Sequence, residues 1–255
     1  MDLCLADNAI YSSRSQLARI MSETWIEQNM YCPRCGNIFL QKQKNNTPVS
    51  DFICPNCKNE YELKSRSKFF GSKIVDGSYE KMIEKINTNN NVDFFFMHYS
   101  MQTKKILNFI FVPNYFFTPE IIEMRKPLSQ SAKRAGWVGC NILFSEIPVQ
   151  GQISIISNGV ITPKSSILKK VENGNLLNFQ NVSARGWIFE VLKCVNMLNQ
   201  KFTLDDLYSF ETKLAQKFPY NNTIKAKIRQ QLQFLRDKGY IRFLGKGKYE
   251  KLFND

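Results

Sequence analysis

Apolar residues recur along this chain with two periods, and the change of period divides it. Between Ser15 and Asn29, Leu17, Ile20, Met21 and Trp25 fall three or four residues apart, the spacing of one helical face. A second such stretch runs from Tyr79 to Asn87, with Met82, Ile83 and Ile86. Val92 to Tyr99 and Ile106 to Val112 are nearly continuous apolar runs one polar turn apart, which predicts buried strands. Val138 to Phe144 and Gln152 to Ile156 predict edge or hairpin strands. Helices and strands mixed in this way predict a mixed sheet flanked by helices, of α/β or α+β class. From Gln150 to Asn181 the text is rich in Gly, Ser, Asn and Pro without a long helical pattern. That stretch predicts a seam, with one domain over residues 1–181 and a second over 182–255.

Beyond the seam the helical stripe returns. Trp187, Ile188, Val191, Leu192, Val195 and Leu198 share one face between Arg185 and Asn199. Thr203, with Asp205 and Asp206 after it, reads as the cap and first turn of a helix reaching about Lys217. Asn222 or Thr223 caps a third helix that Gly239 stops. Two short strands, Tyr240 to Leu244 and Tyr249 to Phe253, follow around a Gly-Lys-Gly turn. Three helices and then a hairpin is the order of a winged helix-turn-helix.

Charge adds the partner. The chain carries 35 Lys and Arg against 22 Asp and Glu, a net charge of +13. Residues 182–255 alone hold 14 basic residues against 7 acidic ones. A positive excess of this size is the footprint of a polyanion, so nucleic acid is the expected partner. In the third helix Ile224, Ile228, Leu232 and Leu235 form an inward stripe, leaving Lys225, Arg229, Gln230 and Gln233 outside. Arg, Gln and Asn side chains read base edges and Lys anchors phosphate, which points to Asn221, Asn222, Thr223, Lys225, Arg229 and Gln230, with Lys246 and Lys248 at the wing. The bland alternative is a solvated, charged helix in a protein-interaction adaptor. No apolar run reaches the ~18 residues that would cross a membrane. An odd count of seven cysteines and a start without a basic, then apolar, leader predict a reducing cytoplasm rather than disulfides.

Two metal chemistries overlap in one short segment. Cys32-Pro33-Arg34-Cys35 and Cys54-Pro55-Asn56-Cys57 stand 18 residues apart, the spacing of a Cys4 zinc site. Cys4, Cys140 and Cys194 stand alone and read as packing residues. Between and after the pairs come Asp51 and the triplet Glu62-Leu63-Lys64. On a strand Glu62 and Lys64 share a face, and a hairpin closing at Cys54 to Cys57 brings Asp51 across from Glu62. Two close carboxylates suit a Mg2+ ion, with the Leu63 carbonyl a further ligand and Lys64 orienting the attacking water. Otherwise these are three strand-surface residues. Glu23 on the opening helix is either a further acid near the metal or a surface glutamate. Arg66 and Lys68 follow the active strand, and Lys133, Arg134 and Trp137 lie in a Gly-bounded loop. Cation beside aromatic suits DNA grip, while Phe69, Phe70 and Trp137 equally suit a core. His98, the single histidine, excludes chemistry that needs several histidines and reads as packing.

The stretches Pro48 to Phe52, Tyr61 to Ser65, Arg134 to Asn141, Ser183 to Trp187 and Lys227 to Leu232 resemble the DpnI-like, methyl-directed restriction endonucleases over nearly the whole chain. The resemblance implies a PD-(D/E)xK nuclease domain with a zinc site, joined to a winged helix. It implies Mg2+-dependent cleavage of both strands of GATC when its adenine carries an N6-methyl group. Asp51, Glu62 and Lys64 match the catalytic trio, and Cys32, Cys35, Cys54 and Cys57 the zinc ligands. The signature proline departs from the pattern: Pro48 stands three residues before Asp51. The partner is then double-stranded DNA bearing N6-methyladenine, taken by a protein expected to be monomeric in solution, with Trp137 and the start of the third helix as candidate methyl readers. Two rivals remain: a non-enzymatic zinc and winged-helix regulator, and a nuclease of the same fold with another target.

Overall fold

The computed structural model of the chain describes residues 13–44, 50–179 and 181–253. Cys4 and Pro48 lie outside the described residues. The Ser13 hydroxyl caps α1 (Arg14–Asn29) by accepting from the Gln16 N–H. A cysteine knuckle follows, then β1 (Gln41–Lys42), β2 (Phe52–Ile53) and β3 (Glu60–Arg66). After these come β4 (Ile74–Ser78), α2 (Tyr79–Asn87), β5 (Asp93–Ser100), β6 (Lys105–Val112), β7 (Ile122–Met124), β8 (Gly139–Ile142), β9 (Ile153–Ser157) and β10 (Val160–Ile161). The remainder holds α3 (Lys164–Asn175), α4 (Val182–Met197), β11 (Lys201–Thr203), α5 (Leu204–Tyr208), α6 (Glu211–Lys217), α7 (Ile224–Asp237), β12 (Ile241–Gly245) and β13 (Lys248–Lys251).

Seven strands make the main sheet, in the order β1-β2-β3-β5-β6-β9-β10. Its one parallel pair, β3 with β5, needs a crossover, which β4 and α2 supply. Side chains of β5 alternate between two cores: Phe95 and Met97 pack with α1 and α3, while Phe94 and Phe96 pack with α2 and a second sheet, β4-β8-β7. A strand buried on both faces reads as an unbroken apolar run, which is why β5 and β6 were plain in the sequence. The mixed sheet between helices is the expected class.

The seam differs from its expectation. Residues 164–175 form a 12-residue helix whose Ile167 and Val171 are buried one turn apart. Its exposed Lys, Ser and Asn gave that stretch the composition of a loop. Gly139–Ile142 is the middle strand of the second sheet, not an edge. The helix begun at Thr203 breaks at Ser209 and Phe210 into α5 and α6, although Thr203 caps it as expected, in a capping box with Asp206. Thr223 stands at the cap of α7 but its side chain accepts no capping bond.

The largest surprise is α4. Its apolar spacing predicts an amphipathic helix, yet Arg185 to Leu192, with Cys194 and Val195, are all buried. Phe189 stacks on Phe116 of the sheet side at 4.8 Å, and Trp187 stacks on Phe218 at 3.9 Å. One core therefore runs unbroken from the sheet into α4, α6 and α7. The stripe of α7, Ile224, Ile228, Leu232 and Leu235, is buried in it as expected.

Candidate active site and metal centre

The site is assembled on the β2–β3 hairpin. Phe52 pairs with Tyr61 and Ile53 with Glu60, so continuing that register by one residue sets Asp51 opposite Glu62. The Asp51 N–H donates to the Tyr61 carbonyl at 2.9 Å, and the Leu63 N–H donates to Asp51 Oδ2 at 2.8 Å. Backbone thus fixes Asp51 against β3. Glu62 and Lys64 sit two residues apart on one face of that strand, and the Lys64 ammonium donates to the Glu62 carboxylate.

A residue that the sequence did not single out completes the cluster. Asp76, on β4, accepts a second bond from Lys64, and its side chain is only 7% exposed. A lone Asp before Gly77 carries the signature of a turn, so nothing in the text set it apart. Glu23 corrects an expectation as well: it is buried rather than on the surface, paired with Arg19 and with Lys42 at 2.9 Å. Its charge reaches Asp51.

The electrostatics follow from that crowding. Burial raises the Asp51 pKa, opposed by the Leu63 N–H and reinforced by Glu23. Burial likewise raises that of Glu62, with Lys64 opposing and Asp76 and Asp51 adding to it. Burial works against the Lys64 ammonium, but Glu62 and Asp76 outweigh it and hold its pKa above the ordinary value. Among these acids Lys64 is held in its charged form. Asp51, Glu62 and Asp76 offer only hard oxygen atoms, the donor type that Mg2+ takes, and the charges of Asp51 and Asp76 both act against that of Glu62. Among the described residues these carboxylates do not form as tight a ligand group as the cysteines do.

The cysteines form that tight group. The sulfur atoms of Cys32, Cys35, Cys54 and Cys57 all lie within 4.8 Å of one another. Cys32 stands 3.6 Å from Cys57 and Cys35 stands 3.6 Å from Cys54, close to the ~3.8 Å edge of a tetrahedron of zinc–sulfur bonds. The Asn59 amide donates to Cys57 at 3.3 Å and that of Asn56 to Cys35 at 3.5 Å, which suits thiolates. The residues fit zinc, which would tie the end of α1 to the turn of the catalytic hairpin. Cys140 and Cys194 are buried packing residues, as read.

The candidate DNA contacts fall in two places. Arg66 is half-buried over the Phe70 ring at 5.9 Å, and Lys68 is exposed beyond it. Phe70 is core, whereas Phe69 is 68% exposed and Phe69 meets the His98 ring edge-on. The loop from β7 to β8 carries exposed Lys133 and Arg134, with Arg134 4.7 Å over the Trp137 ring. Trp137 is half-buried and folds over Gly139, where an added Cβ would come within 2.9 Å of the ring. Because Gly139 pairs with Ser78 and Cys140 with Asp76, this loop leaves the sheet beside the acids.

On α7, Lys225, Arg229 and Gln230 are exposed, as is Asn222 before it. The Arg229 Nη1 donates to the Tyr208 hydroxyl at 2.8 Å, and Lys225 lies 3.4 Å from Glu211. Asn221 is half-buried and accepts the Thr223 N–H at 2.8 Å, so it shapes the turn, with Thr223 exposed after it. Tyr220, at 97% exposure, stands at the same turn and was missed, since one aromatic beside a proline gives no pattern. Gly245, Lys246 and Gly247 all have positive φ, a turn that needs its glycines and leaves Lys246 and Lys248 exposed.

Family models give this architecture two matches. Residues 1–180 match the DpnI, Dam-replacing family, and residues 183–251 match the Dam-replacing helix-turn-helix domain.

Proposed function

The chain belongs to the DpnI, Dam-replacing family of methyl-directed restriction endonucleases, and on that premise we propose that it hydrolyses both strands of GATC carrying N6-methyladenine, using Mg2+. The observation that carries this reading is the gathering of Asp51, Glu62 and Lys64 on one hairpin, with Asp76 behind them. The hairpin on a mixed sheet beside α1 supports a PD-(D/E)xK core over residues 1–181. Residues 182–255, with an exposed basic face on α7 and a basic wing, support a DNA-gripping winged helix.

Asp51 and Glu62 would hold the cation, with the Leu63 carbonyl between them. Bound Mg2+ supplies an acidified water and offsets charge on the attacked phosphate. The chain's own part is positional and electrostatic. The Leu63 N–H keeps the Asp51 carboxylate in place. Lys64, held charged by its two acids, offers a cation to the oxygens that gain charge as the phosphate is attacked. Asp76 fixes where that cation stands. Zinc on the four cysteines would keep the hairpin in register rather than take part in hydrolysis.

The test is Asp51→Ala. The variant should lose plasmid cleavage in Mg2+ while keeping its affinity for DNA by fluorescence anisotropy. Cleavage at the parent rate would end the hydrolytic assignment and leave the regulator.

A further inference from the structure

Away from the acids, where α4 meets the sheet, lies a cavity of about 150 Å³ lined chiefly by Asn89, Asn91, Asn114, Tyr115, Asn178 and Arg185. Three of these side chains end in buried donors with no acceptor among the described residues: Asn91 Nδ2, the Tyr115 hydroxyl and Arg185 Nε. All three residues are more than nine-tenths buried.

Each donor is held where it is. Asn91 Oδ1 accepts the Val92 N–H at 3.0 Å, which fixes the amide with its NH2 group free. Arg185 Nη1 donates to Asn89 Oδ1 at 2.7 Å and to the Phe179 carbonyl at 2.9 Å, two neutral acceptors. Burial lowers the pKa of this guanidinium, and among the described residues no carboxylate opposes it. Asp93, which accepts the Asn114 N–H, is already taken by Arg34 through bonds of 2.8 and 2.7 Å. Asn114 is engaged at both ends, its oxygen by Arg34 and its amide on the Asn91 carbonyl.

A buried cation without a counter-charge is costly, and so is a buried donor without an acceptor. Both costs fall if the occupant is negative and made of acceptors only. One water accepts from at most two of the three donors and brings no charge to the guanidinium. We propose that this cavity binds a tetrahedral oxyanion of the phosphate or sulfate class, held by Arg185, Tyr115 and Asn91. Asn89 and Asn178 are exposed, so the site opens to solvent at their side. The anion is either free or the terminal phosphate of a nucleotide whose sugar stays at that rim. Bound there, it ties the start of α4 to the sheet.

The test uses the full chain, with thermal unfolding and calorimetric titration at constant ionic strength. The probes are sodium phosphate, sodium sulfate and deoxyadenosine 5′-monophosphate, with chloride as reference. Phosphate should raise Tm by several degrees and saturate at one per chain. Tyr115→Phe, which removes one atom, should weaken binding at least fivefold, and Arg185→Gln should abolish it. Tenfold tighter binding of the nucleotide assigns the terminal phosphate; equal or weaker binding assigns the free anion. A Tm shift no larger than chloride gives, or an unchanged affinity in Tyr115→Phe, overturns the proposal. If Arg185→Gln does not fold, the Tyr115→Phe result decides alone.

Discussion

At the scale of single residues, the cluster on β3 turns on how Lys64 is shared. It donates to Glu62 and to Asp76, and the two acids together keep it charged. Asp76→Ala should cut the cleavage rate roughly 10- to 100-fold, the usual cost of removing a group that orients a catalytic one. Single-turnover kinetics would show this, with DNA affinity little changed; an unaltered rate would remove Asp76 from the site. Trp137, with Arg134 above it and Gly139 beneath, offers a partly open aromatic wall. An N6-methyl group packed on such a wall is worth on the order of 1 kcal/mol. Trp137→Ala should therefore lower the preference for methylated over bare GATC by about fivefold, measured as a ratio of cleavage rates. Asp51, Glu62 and Lys64 were legible because their types and spacing carry chemistry on a strand. Asp76 and Glu23 were not, because each is a lone acid whose meaning comes from what the fold sets beside it.

Among elements, the hairpin and its cysteine knuckle are one device. The pairs at 32–35 and 54–57 bring the end of α1 against the turn between β2 and β3. Stripping zinc with a chelator should lower Tm sharply and abolish cleavage, since a structural site couples metal binding to folding. A metal-free protein of unchanged Tm would contradict that coupling. A second device crosses the seam: Lys193 and Lys217 each bond to Glu146 and to Glu190, joining α4 and α6 to the segment after β8. The Lys193 bond first, then Lys217, overcomes partial burial and holds the Glu146 pKa at about 2. Its stabilising contribution is full above the ordinary carboxylate pKa of ~4.3 and is lost as pH falls toward about 2. Glu146→Gln should thus lower Tm at pH 7, with the gap to the parent closing across that acid window. The strong periods of α1, α2 and α7 were readable from apolar spacing. Helix α3 was hidden by Lys, Ser and Asn on its exposed side; α4 was legible as a helix, but not its burial on faces that an amphipathic stripe would leave wet.

For the whole molecule, charge and the shared core decide the behaviour. A net charge of +13, half of it carried by the last third of the chain, predicts binding dominated by phosphate contacts. Affinity for DNA should fall about 10³- to 10⁵-fold between 50 and 200 mM salt if six to ten phosphates are engaged. A shallow dependence would favour an adaptor role for α7. The continuous core through Phe116, Phe189, Trp187 and Phe218 means that the gripping and cutting parts are packed together rather than strung on a linker. Composition alone suggested a seam without a long helix, because a polar exterior looks the same over a helix as over a loop. The central claim is methyl-directed hydrolysis by the acids on the hairpin. It is tested most directly by incubating the protein and Mg2+ with one plasmid grown in adenine-methylating and in non-methylating hosts. The account predicts cutting at GATC in the methylated plasmid alone; cutting of both, or of neither, would contradict it.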